Sequence, residues 1–65
     1  MTSFERMYDT LKRYGEILAD REHETTEHNF IRFTTFKYNE TYYVATKFNG
    51  SVVMVAEKED IKELL

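Results

Sequence analysis

Asn49-Gly50, set between two runs of alternating apolar and polar residues, is the feature that most restricts how this chain can fold. A two-residue type I′ turn demands positive φ at both of its central positions, and Asn followed by Gly meets that demand at least cost. The dipeptide therefore predicts an antiparallel hairpin between Thr41–Phe48 and Ser51–Ala56. Asn39-Glu40 marks a second turn, which brings the aromatic and threonine-rich run Phe30–Tyr38 into the same sheet. Two-residue loops fix the register. Phe48 then faces Ser51, Thr46 faces Val53 and Val44 faces Val55. In the first hairpin Lys37 faces Tyr42, Thr35 faces Val44, Phe33 faces Thr46 and Ile31 faces Phe48.

Ahead of the sheet, Phe4, Met7, Tyr8, Leu11, Tyr14, Ile17 and Leu18 recur at steps of three and four. That spacing predicts an amphipathic helix over Ser3–Asp20. Thr2 and Glu5 fit a capping box at its start. Gly15 costs about 1 kcal/mol inside a helix relative to alanine, and its place beside the apolar stripe is expected to let the sheet approach closely. Residues 20–28 are polar throughout and predict a loop. Beyond the strands, Glu57, Glu59 and Asp60 suit the first turn of a short C-terminal helix, where the dipole favours carboxylates. Ile61, Leu64 and Leu65 would anchor it. The expected fold is a single α+β domain over residues 1–65. In it the N-terminal helix packs on a three-stranded antiparallel meander, followed by a short C-terminal helix, in the order α-β-β-β-α.

With 65 residues, a chain buries only ~60% of the surface it exposes when unfolded. It holds no cysteine, so disulfides, thiolate metal sites and a thiol nucleophile are excluded. Aromatic residues, 15% of the chain, must supply much of the core, and dimerisation is a natural supplement. No apolar run approaches the ~18 residues of a membrane span, and Met1 leads into charged sequence. A soluble, cytoplasmic protein is expected. Such a small core leaves little room for a substrate pocket of ~300 Å³ or more, so catalysis is not expected.

The register sorts the strand residues onto two faces. Ile31, Phe33, Tyr42, Val44, Phe48, Val53 and Val55 form the more apolar one, which is assigned to the helix. The other carries Phe30, Arg32, Phe36, Tyr38, Tyr43, Lys47 and Met54 among smaller residues. One helix covers one side of a sheet, so this second face is expected to be partly open, and an exposed apolar patch marks an interaction site. Phe36, Tyr38, Tyr43 and Met54 are the expected partner contacts, with Arg32 and Lys47 giving polar orientation. Charge is uneven within the net −3. Residues 20–27 sum to −3 and residues 57–65 to −2, while residues 28–56 sum to +2. Glu22, Glu24, Glu27, Glu57, Glu59 and Asp60 are therefore expected to steer docking toward a basic partner.

Chemical motifs are sparse. His23-Glu24-Thr25-Thr26-Glu27-His28 approaches the HExxH zinc-protease pattern, but its histidines are five apart rather than four. On a helix the second histidine would point about 140° away from the first. Two isolated glycines exclude a glycine-rich phosphate loop. No metal or cofactor is expected. Aromatics beside Arg32 and Lys47 resemble the base-stacking surfaces of RNA-binding sheets, yet the acidic balance argues against nucleic acid.

In size, charge and order of elements the chain is similar to small phage and mobile-element inhibitors, including some anti-CRISPR proteins. That likeness implies a non-enzymatic regulator or inhibitor acting by protein–protein binding, with a nucleic-acid-processing enzyme as partner. It assigns no individual residue. The alternatives are a homodimer closed by the same sheet face, and a weak single-stranded nucleic-acid binder.

Overall fold

The computed structural model describes residues 2–58, and its elements run α1 (Ser3–Tyr14), β1 (Glu16–Glu24), β2 (Phe30–Tyr38), β3 (Thr41–Phe48) and β4 (Ser51–Glu57). The four strands form one antiparallel sheet in chain order, β1-β2-β3-β4. The α+β class and the antiparallel meander hold, but the sheet has four strands rather than three. Glu57 is the last residue of β4 rather than part of a helical turn. The remainder of the expected C-terminal helix, with Glu59, Asp60, Ile61, Leu64 and Leu65, lies outside the described residues.

The helix begins at the Thr2 cap its sequence predicts, with the Glu5 carboxylate meeting the Thr2 hydroxyl rather than a backbone amide. The Glu5 amide donates to Thr2 Oγ1 at 3.1 Å, and the Thr2 hydroxyl donates to the Glu5 carboxylate at 3.1 Å. Lys12 and Arg13 lie in the last turn, where the dipole favours cations. The helix stops at Gly15, whose amide donates to the Leu11 carbonyl at 2.8 Å. A Cβ built on Gly15 would stand 2.7 Å from the Leu11 oxygen and 3.3 Å from the Lys37 oxygen of β2. The glycine thus admits the close approach anticipated for it, at the end of the helix rather than within it.

Residues 16–24, read as helix and then loop, form the edge strand β1. Its pairing explains why. Glu16 lies opposite Lys37 and Glu22 opposite Arg32, so oppositely charged side chains face each other across the strand pair. All nine residues of β1 are exposed, and a charged edge of this kind discourages pairing with a foreign strand. The β1–β2 loop is closed by Thr25, whose hydroxyl accepts the amides of Glu27 and Asn29. Asn49 ties this loop to the β3–β4 turn, accepting the Phe30 amide at 2.8 Å and donating to the Asn29 side chain at 3.0 Å.

Both predicted tight turns form with positive φ at each central residue: 49° and 59° at Asn39 and Glu40, 48° and 86° at Asn49 and Gly50. The β2–β3 register is the one the turns dictate, with Lys37↔Tyr42, Thr35↔Val44, Phe33↔Thr46 and Ile31↔Phe48. The β3–β4 register starts as expected at Phe48↔Ser51 and then shifts by one residue. Thr46 pairs with Met54 and Ala45 with Val55, leaving Val53 as the extra residue of a bulge. The shift carries Val55 to one face of the sheet and Met54 to the other, the reverse of the regular register.

The helix packs on the face expected to be open. Its core is Leu11, Phe36, Ala45 and Val55, with Tyr8, Tyr38, Tyr43 and Val52 packed around it. Tyr8 meets Phe36 edge to face, with ring centroids 5.8 Å apart. Size decides the choice of face. Thr34 and Ala45 are directly opposed in the middle of this face, and such small residues let a helix lie close to the sheet. The other face sets Phe33 opposite Thr46 and Thr35 opposite Val44, so each of these central pairs carries a larger side chain.

Candidate protein-binding face

Register alone places Ile31, Phe33, Thr35 and Lys37 of β2 beside Tyr42, Val44, Thr46 and Phe48 of β3, on the side of the sheet away from the helix. Met54 joins them from β4, opposite Thr46. Phe33, Tyr42 and Phe48 are each about 40% exposed, and Val53 and Met54 nearly half exposed. His23 of β1 meets the Phe33 ring edge to face at 6.3 Å. Tyr42 sits between two cations, with Lys37 Nζ 5.9 Å and Lys58 Nζ 5.4 Å from its ring centroid. The result is a continuous aromatic and aliphatic surface along the two central strands, with its positive charges at one end.

The residues first expected to bind a partner are divided by this geometry. Phe36 is fully buried beneath the helix, so its expected role as a contact gives way to a place in the core. Tyr38 and Tyr43 are half-buried, lining with Met7, Thr10 and Leu11 a groove of about 220 Å³ beside the helix. Lys47 lies under Tyr8, its Nζ 4.6 Å from the ring centroid. Met54 is exposed on the face away from the helix. Of the acidic residues, Glu22 and Glu24 lie on β1, Glu27 is exposed in its loop and Glu57 ends β4. The Glu24 carboxylate accepts from His28 Nδ1 at 3.0 Å.

Hydrophobicity alone ranks the face of Phe33, Tyr42 and Phe48 as the core side, whereas the helix covers the other. The direct pairing of two small residues, Thr34 with Ala45, on one side of β2 and β3 only is the signal that separates the two faces.

Arg32 does not reach outward. Its Nε donates to Asp20 Oδ1 at 2.8 Å, its Nη2 donates to Asp20 Oδ2, and the buried Thr34 hydroxyl donates to the same carboxylate at 3.1 Å. The Arg32 guanidinium, aided by Thr34, holds the Asp20 carboxyl below the usual carboxylate range despite partial desolvation. Asp20 in turn raises the pKa of Arg32. A carboxyl with a depressed folded pKa stabilises fully above its unfolded value of about 3.9, and that contribution disappears as pH falls through the lower folded value. Thermal unfolding followed from about pH 6 to about pH 2 is expected to give Asp20→Asn a shallower acid limb than the parent chain. Coincident limbs would remove Asp20 from the acid response.

Among the described residues, no cluster of His, Asp and Glu is arranged to hold a metal ion, and no helix is long and apolar enough to cross a membrane. No family model, curated protein or solved structure matches the chain.

Proposed function

We propose that this chain is a non-enzymatic binding protein, a small acidic regulator or inhibitor whose activity is contact with another polypeptide through the open sheet face. One observation carries the reading. Among the described residues Phe33, Tyr42, Phe48 and Met54 are exposed together on the side of the sheet away from the helix. Single exposed apolar residues are ordinary, but a contiguous surface spanning β2, β3 and β4 is what interaction sites present. Its aromatics and Met54 are the residue types enriched where proteins meet. Among the described residues, the groove of about 220 Å³ beside the helix is smaller than the ~300 Å³ at which small-molecule sites begin. Glu22, Glu24 and Glu27 form an acidic margin along β1 and its loop, suited to steering the molecule toward a basic target such as a nucleic-acid-binding enzyme.

A photoreactive phenylalanine analogue placed at Phe33, and separately at Arg13 on the exposed side of the helix, tests the reading. Irradiation in source cells is expected to give discrete covalent adducts from position 33 and none from position 13. Absence of adducts from position 33, or equal yields from positions 33 and 13, would sink it.

A further inference from the structure

We propose that Asn49 is a site of spontaneous deamidation, and that its hydrogen bonds to Asn29 and Phe30 are the latch that sets the rate. In an Asn-Gly pair the glycine amide nitrogen attacks the asparagine Cγ and closes a succinimide ring. The new N–Cγ bond replaces the Cγ–Nδ2 bond, and the displaced nitrogen leaves as ammonia, carrying the proton lost by the glycine amide. Water then opens the ring at either carbonyl and gives an aspartyl or an isoaspartyl residue. Glycine hinders this attack least, because it has no Cβ.

Asn49 and Gly50 are both exposed, and a Cβ built on Gly50 would meet no heavy atom within 4 Å, so no neighbouring side chain crowds the glycine. Asn39 has nearly the same backbone, with φ of 49° against 48°, but Glu40 follows it and brings a side chain to the attacking nitrogen. The sequence and the turn therefore single out Asn49.

The fold holds the reaction back. Asn49 Oδ1 accepts the Phe30 amide at 2.8 Å, and Asn49 Nδ2 donates to Asn29 Oδ1 at 3.0 Å. The Asn49 amide donates to the Phe30 carbonyl at 2.8 Å. With both ends of its amide engaged, the side chain is tied to the start of β2. Ring closure needs the reacting atoms about 3–3.5 Å apart and aligned, so the latch opens first. The rate is then the intrinsic rate of the open turn multiplied by the population of that local opening.

The two products differ in what they do to the molecule. An aspartyl residue keeps an oxygen for the Phe30 amide, the Asn29 side chain has an N–H to offer the new carboxylate, and Asp-Gly suits a type I′ turn. An isoaspartyl residue adds a methylene to the main chain, which ends the two-residue turn that sets Phe48 opposite Ser51. Phe48 lies on the open sheet face, so the isoaspartyl form presents an altered contact surface. That last consequence rests on the contact reading; the chemistry does not.

Incubating the purified full chain in mildly alkaline buffer tests this, with peptide mapping that separates asparaginyl, aspartyl and isoaspartyl forms. Asn49 is expected to convert well ahead of Asn29 and Asn39, and at least about tenfold more slowly in the folded chain than in urea. Asn29→Ala removes the acceptor of Nδ2 and is expected to speed conversion in the folded chain about three- to tenfold, leaving the rate in urea unchanged. Asn29→Asp keeps an acceptor there and is expected to hold the rate near that of the parent chain. No conversion of Asn49, equal rates in the folded chain and in urea, or an Asn29→Ala chain no faster than Asn29→Asp overturns the proposal. Each of these failures leaves the contact reading standing, because the chemistry is followed on the chain alone.

Discussion

Phe36→Ala is expected to leave the chain largely unfolded at 25 °C. Truncating a fully buried phenylalanine removes about 3–5 kcal/mol, and a 65-residue domain holds roughly 3–10 kcal/mol in total at the usual stability per residue. Here the loss is aggravated by the size of the core. Among the described residues Phe36 is the largest fully buried side chain, it holds Tyr8 edge to face, and Leu11 is fully enclosed with it. Far-UV circular dichroism and urea denaturation give the result directly. The matched control is Phe33→Ala, which removes the same ring from the open face and is expected to cost less than half as much. Equal losses from the two variants would show that the helix does not distinguish the faces.

Val55→Asp is the second large effect. Val55 is 7% exposed and packs under the helix opposite Ala45, so the substitution puts an unpaired carboxylate into the core. Removing a buried charge from water without a partner costs several kcal/mol, enough to abolish the cooperative transition. Val53→Asp, two residues away, places the same charge where the side chain is 49% exposed and is expected to retain a cooperative transition. This pair of variants reports directly on the bulge. Without it, Val53 and Val55 would occupy the same face and the two substitutions would behave alike.

That bulge also marks the boundary of what could be read from the amino acids. The β2–β3 register was legible because Asn39-Glu40 and Asn49-Gly50 make two-residue turns, and such turns leave the pairing no freedom. The capping of α1 by Thr2 and Glu5 was legible for a similar reason, since the chemistry is local. β1 was not. Ile17 and Leu18 extend the helical spacing of Leu11 and Tyr14, and the polar run after them lacks the apolar alternation of a half-buried strand. Its true signal is non-local: Asp20 of β1 answers Arg32 and Thr34 across the pair. The binding face was misassigned because total hydrophobicity ranked the two sides wrongly. The helix lies on the side with a shallow centre at Thr34 and Ala45, and the larger rings were left outside. Arg32, expected to orient a partner, is instead held by Asp20 and Thr34, a network that needs β1 in place before it can be seen.

Irregularity at the margins has a consequence for how this molecule survives in a crowded solution. Both outer strands are interrupted, β1 between Ile17 and Ala19 and β4 at Val53, so neither rim offers a straight row of free amides and carbonyls. A ribbon rich in aromatics and β-branched residues is ordinarily a seed for fibril growth, which proceeds by adding strands to a flat border. With both borders kinked and one studded with charge, lateral elongation is blocked, and the sticky surface is free to engage only through its broad side.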